Sequence, residues 1–199
     1  MLDFIARTPS GQGLLRELSQ EGVRIAPLTQ CPREYYPNGN SAYVFNGKTK
    51  TIYLSFGEEL GLIAPLFLHE AAHALDPHYH QTHKTVLKLD QELKREGVLA
   101  MENPTPKSLS RVLKARKRVD EFQDERTLKS ESHAYRKQRM WVEELCQSFA
   151  PYEVYLQNKK NHRFLEVPSE QEIAHNYGLK TVLSDTRPQA SSQAVKAPW

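Results

Sequence analysis

Apolar positions along the chain change spacing several times, and the changes divide it into elements. Thr8-Pro9 followed by Leu14, Leu15 and Leu18 reads as an N-capped helix with proline at its first position, ending near Glu21-Gly22. Residues 23–28 then alternate apolar and polar side chains, as a short strand does. A Pro-Asn-Gly run marks a loop at 36–39. Beyond it, residues 42–45 and 49–55 favour strands, and Asn46-Gly47 between them predicts a hairpin over 42–55.

From Ile63 to Leu75 the pattern turns helical and is apolar on most faces, which predicts a helix inside the protein. Pro65 is expected in its first turn, and Asp76-Pro77 at its end. After the turn His78-Tyr79-His80, Val86, Leu87, Leu89 and Leu93 predict an amphipathic helix over about 82–95, followed by a break at Asn103-Pro104-Thr105-Pro106. Further helices are expected over about 107–119 and 126–150, the latter closed by Pro151. Ser169-Glu170-Gln171-Glu172 has the form of a capping box ahead of a short helix to Tyr177. The Ser, Ala, Gln and Pro-rich end has the composition of a disordered tail. The expected organisation is one α+β domain over 1–182 with a tail at 183–199. Its first half, about 1–80, would hold a small antiparallel or mixed sheet with the hairpin packed on the central helix. Its second, about 81–182, would be mostly helical.

Composition narrows the function classes without choosing one. At 199 residues, 39% hydrophobic and 26% charged, the chain sits near globular averages. A net charge of +3 is too mild to imply a nucleic-acid or membrane partner. The longest apolar stretch, 60–68, is about half of a membrane span and contains a proline. Asp3 stands where a signal peptide carries basic charge. A soluble protein is therefore expected, cytoplasmic or exported by a signal-independent route. Cys31 and Cys146 lie far apart with no CxxC partner, so neither a disulfide framework nor a cysteine metal site is indicated. The basic run Lys114 to Arg118 lacks interleaved aromatics and is followed at once by Asp120-Glu121, as on a solvated helix end.

The chemistry concentrates in His69-Glu70-Ala71-Ala72-His73, inside the most apolar helix of the chain. Residues four apart share a helix face, so both imidazoles can reach one metal ion, and this geometry suits Zn2+. Glu70 points to an adjacent face, within reach of a metal-bound water rather than the metal, which is the position of a general base. Polar groups on a buried helix must be satisfied, because an unpaired one costs several kcal/mol, about 2–7 by transfer measurements. A catalytic zinc also needs a third protein ligand. Asp76, on the same helix face, and His80 are both within sequence reach of that role.

The motif resembles that of the zincin metallopeptidases of the gluzincin type, in which a glutamate on a later helix completes the site. The resemblance implies that Glu131, in Glu131-Ser132-His133-Ala134-Tyr135, is the third ligand, with small Ala134 letting the two helices approach. It departs from the metzincin pattern, since position 79 is tyrosine, no glycine lies between, and His80 falls one residue late. Tyr135, one turn after Glu131, and His133 flank the ligand as possible donors to a developing oxyanion. Under the same resemblance, residues 49–55 take the place of the edge strand that pairs with extended substrate. The order of elements over roughly 4–140 is also similar to bacterial effector and toxin metallopeptidases. The resemblance implies a zinc endopeptidase acting on a protein or peptide substrate. Rival readings are an amidase-type hydrolase of cell-wall peptide and an inactive binding or regulatory module on a zincin scaffold.

Overall fold

The computed structural model describes residues 1–35, 39–57, 59–159 and 161–185, and its architecture is α+β, mostly helical with one three-stranded mixed sheet. A single turn, α1 (Leu2–Ile5), leads into α2 (Pro9–Gln20). Thr8 caps α2 by accepting from the Gly11 backbone N–H at 3.0 Å, as the Thr-Pro pair predicts. β1 (Arg24–Pro27) follows, and a hairpin of β2 (Ser41–Phe45) and β3 (Lys50–Leu54) completes the sheet. The hairpin turn is held by Asn46, whose Oδ1 accepts from the backbone N–H groups of Lys48 and Thr49 at 3.0 and 2.8 Å. Gly47 supplies the positive φ of 87° that the turn requires. Of the 36–39 loop, Tyr36, Pro37 and Asn38 lie outside the described residues.

Strand order is β1-β3-β2. Ile52 pairs with Ile25 in parallel and with Tyr43 in antiparallel register. This corrects one expectation: the 49–55 strand is the centre of the sheet, and β2 is the edge. A parallel neighbour for β3 was not legible, because β1 lies beyond a long connection and parallel pairing leaves no turn signature in sequence.

The next helix, α3 (Leu60–Leu75), packs on β2, β3, α2 and two later helices, α5 (Pro106–Ser148) and α6 (Ala150–Asn158). Ile63, Phe67, Leu68, Ala71 and Ala74 join Ile52 and Leu54 of β3 and Val142, Leu145 and Leu156 in one core. The helix starts one turn earlier than predicted, so Pro65 lies in its second turn and cannot donate to the Gly61 carbonyl. Tyr152 fills that vacancy, its hydroxyl donating to Gly61 O at 2.7 Å. Gly61 itself allows the close approach of Tyr155, whose ring lies 2.4 Å from where a Cβ would stand. Proline and glycine in the helix are thus matched to two tyrosines of α6 (Ala150–Asn158).

Three helix boundaries also differ from expectation. Asp76-Pro77 ends α3 but also starts α4 (Pro77–Glu102) directly: Asp76 accepts from His78 N at 2.9 Å, and Pro77 takes the first position. The histidine-rich turn is therefore helical. The two helices expected beyond Pro106 are a single one, α5 (Pro106–Ser148), because the charged stretch between them holds no breaker and forms pairs such as Arg116–Asp120 and Lys129–Glu125. Pro151 belongs to the first turn of α6 rather than to the end of α5. After it, α7 (Glu170–Tyr177) starts at the predicted Ser169–Glu172 capping box, and α8 (Lys180–Asp185) closes the described chain. Of the expected tail, 186–199 lies outside the described residues. Cys31 and Cys146 are both buried and form no disulfide. Among the described residues, no helix is long and apolar enough to cross a membrane.

Candidate metal centre

The HExxH residues lie in the second half of α3, where the helix faces α5. His69 and His73 project on that face with ring centroids 4.9 Å apart and Nε2 atoms 3.2 Å apart. From α5, Glu131 meets both: Oε2 is 3.1 Å from His69 Nε2, and Oε1 is 3.3 Å from His73 Nε2. The approach is possible because Ala134, fully buried one turn further along α5, keeps the helices close. The expected convergence of His69, His73 and Glu131 is thus present in the structure. One ligand atom from each lies within 4.8 Å of the other two.

What the three groups do chemically is decided by their outer partners. His69 Nδ1 faces Gln138 Oε1 at 3.0 Å, an acceptor, so the ring proton sits on Nδ1. His73 Nδ1 is 2.8 Å from Ser130 Oγ. The proton on His69 Nδ1 leaves its Nε2 lone pair turned toward His73 Nε2 and the Glu131 carboxylate, while the Ser130 hydroxyl can serve His73 as donor or acceptor. The two imidazoles and the carboxylate thus converge on one point, where a cation or a proton can join them. The proton affinities reflect this. Burial works to lower His73, but Glu131, then Glu70 and Asp76, outweigh it and raise the imidazole above its ordinary value. Burial likewise works to raise Glu131, and the charge and hydrogen bonds of His73 and His69 hold it well below the carboxylate range. The group is built to take positive charge.

Glu70 is buried beside this group but separate from it, its Oε1 accepting from Ser41 Oγ of β2 at 2.8 Å. Tyr135 sets its ring edgewise against His69, with centroids 4.6 Å apart. His69, Glu70, His73, Glu131 and Tyr135 all line one cleft of about 1080 Å³. Ser41, Ala42 and Tyr43 of β2 form one wall of it, and residues of the 163–177 segment form another.

The other candidates fall outside this arrangement. Asp76, almost fully buried, is occupied as the α4 cap. His80 Nε2 lies 2.8 Å from the Tyr43 hydroxyl and its ring packs on Phe45, joining α4 to the sheet. Half-buried His133 belongs neither to the acceptor group nor to the cleft lining. In the basic run, Arg116, Lys117 and Arg118 pair with Asp120, Glu121 and Glu92, as expected of a solvated face.

His80 carries a testable consequence. Burial, assisted by the Lys50 charge, lowers its pKa to about 4 from an ordinary value near 6.5. As pH falls, the unfolded chain takes up this proton first, so the contribution of His80 to stability should decline between about 6.5 and 4. Denaturation midpoints measured across that range should show a shallower decline in His80→Gln. His83 and His133, lowered in the same direction, would account for the remaining slope.

Sequence reading missed Ser41, Ser130, Gln138 and Tyr177. Gln138 and Ser130 did leave a signal: with Glu131 they are polar positions on a stripe of α5 that otherwise buries Ala134, Val142 and Leu145. A stripe of that kind asks what satisfies it. Tyr177 left none, and its hydroxyl donates to Glu131 Oε2 at 2.7 Å. Comparison of the chain with protein-family models, with curated proteins and with solved structures finds no match.

Proposed function

We propose that the chain is a zinc-dependent peptidase of the zincin type, with His69, His73 and Glu131 as metal ligands and Glu70 as general base. The observation that carries this reading is the convergence of His69, His73 and Glu131 inside the cleft, one ligand atom of each within 4.8 Å of the other two. Zinc with bonds of about 2.0–2.1 Å in tetrahedral geometry sets its ligand atoms about 3.3 Å apart. The two Nε2 atoms are 3.2 Å apart, and each has a different oxygen of Glu131 beside it, Oε2 at 3.1 Å from His69 and Oε1 at 3.3 Å from His73. Two histidines and a carboxylate also form a donor set that suits zinc while leaving a fourth position open.

Bound there, zinc would supply Lewis acidity toward water and toward the scissile carbonyl. The chain's own groups supply the rest. Glu70 stands beside the acceptor group, held by Ser41, where it can take the proton of the attacking water and pass it to the leaving amine. Tyr135 lines the same cleft and would donate to the developing oxyanion. β2 has no strand on its outer side among the described residues, and its Ser41–Tyr43 stretch faces the cleft. An extended substrate could pair with that edge, the role first given to residues 49–55. A cleft of about 1080 Å³ has room for a peptide segment.

The test joins metal analysis to substrate profiling. Protein purified from zinc-containing medium should hold about one zinc per chain and cleave members of a proteome-derived peptide library. A chelator should stop cleavage, and added zinc should restore it. Failure to retain zinc after dialysis against it would remove the basis of the proposal.

A further inference from the structure

The 163–177 segment stands outside the HExxH helix and its partner, yet it forms a wall of the cleft and reaches the acceptor group. We propose that Tyr177 is a positioning residue of the metal centre, holding one oxygen of Glu131 so that the carboxylate offers the other alone. This rests on the metal reading above.

The contact is direct. Tyr177 Oη donates at 2.7 Å to Glu131 Oε2, the oxygen 3.1 Å from His69 Nε2, and leaves Oε1, 3.3 Å from His73 Nε2, without this donor. The tyrosine is the last residue of α7, and that helix is anchored on both sides of it. Ahead of it, Ile173 and Ala174 are fully buried. Behind it, the Thr181 backbone N–H and hydroxyl both donate to Asp124 Oδ2 of α5, at 2.9 and 2.8 Å. Tyr177 is therefore presented to Glu131 by a segment fastened to the same helix that carries Glu131. A carboxylate held by one oxygen occupies a single coordination position, which keeps the fourth site open for the water that Glu70 serves.

Tyr177→Phe removes only the hydroxyl from a residue that is 44% exposed, so the fold should persist. Zinc affinity, measured by competition with a chromophoric chelator, should fall about 10–100-fold, as is typical when an outer-shell partner is lost. In the cobalt-substituted variant, the visible absorption should weaken toward that of a higher coordination number, because both carboxylate oxygens become available. The melting temperature of the metal-free protein monitors packing separately. In a Glu131→Ala background the same change should cost no further affinity. Wild-type affinity and an unchanged cobalt spectrum in Tyr177→Phe would overturn the inference, as would an equal loss in both backgrounds. A wild-type chain that binds no zinc would overturn the metal reading itself, a separate outcome.

Discussion

Replacing Glu70 with glutamine should reduce peptide hydrolysis by about 10²–10⁴-fold, the usual contribution of a general base, while zinc stays bound. The two halves of that result follow from different contacts. Glutamine keeps the shape of the side chain and can still accept from Ser41 Oγ, so β2 and α3 remain joined at the cleft. None of the three mutually close acceptors is touched, so metal content should match that of the wild type. What disappears is a carboxylate able to take a proton. Measuring zinc by elemental analysis and turnover on the same preparation separates the two. Undiminished turnover would sink the proposed mechanism, and lost zinc would make Glu70 a ligand instead of a base.

Glu131→Ala should have the opposite signature, with metal affinity collapsing and activity lost as a consequence. Glu131 supplies the one negative charge among the three acceptors, and it faces both histidines. Its removal leaves two imidazoles whose Nε2 atoms, 3.2 Å apart, still point at each other. Two neutral nitrogens are a much poorer zinc site than two nitrogens and a carboxylate. The variant should therefore purify with far less than one zinc per chain. Full zinc occupancy would show that another group completes the site. Neither earlier alternative is placed to do so, since Asp76 caps α4 and His80 meets Tyr43.

Much of this arrangement was legible along the chain. Local signals were right where they concern one element and its ends: the Thr8 cap, the Asn46-Gly47 turn, the Ser169 capping box and the buried character of α3. Such features depend on backbone groups only a few residues away, so the relevant physics is contained in a short window. Errors arose where one signal had two meanings. Asp76-Pro77 both stops a helix and starts one, and continuity into α4 was decided by Asp76 capping the very next turn. The charged run around 120–125 reads as solvated surface, which it is apart from half-buried Asp124, the acceptor for Thr181, but a solvated face does not interrupt a helix without glycine or proline.

The sequence by itself therefore determined the identity of two imidazoles and a carboxylate on one helix, because residues i and i+4 share a face whatever the rest of the chain does. It also determined that this helix must be buried, and so that its polar groups need partners. Tertiary structure alone decided what those partners are. Glu131 arrives from 58 positions after His73 on a helix that could be ranked only by resemblance, and Gln138, Ser130 and Ser41 arrive by packing. It decided too that β2, and not β3, borders the cleft. Tyr177 is the clearest case: it reaches Glu131 because α7 docks on α5, and no spacing in sequence encodes that contact. Local periodicity sets which side chains leave an element together, whereas their meeting with distant ones depends on how the apolar faces of whole helices are buried against each other.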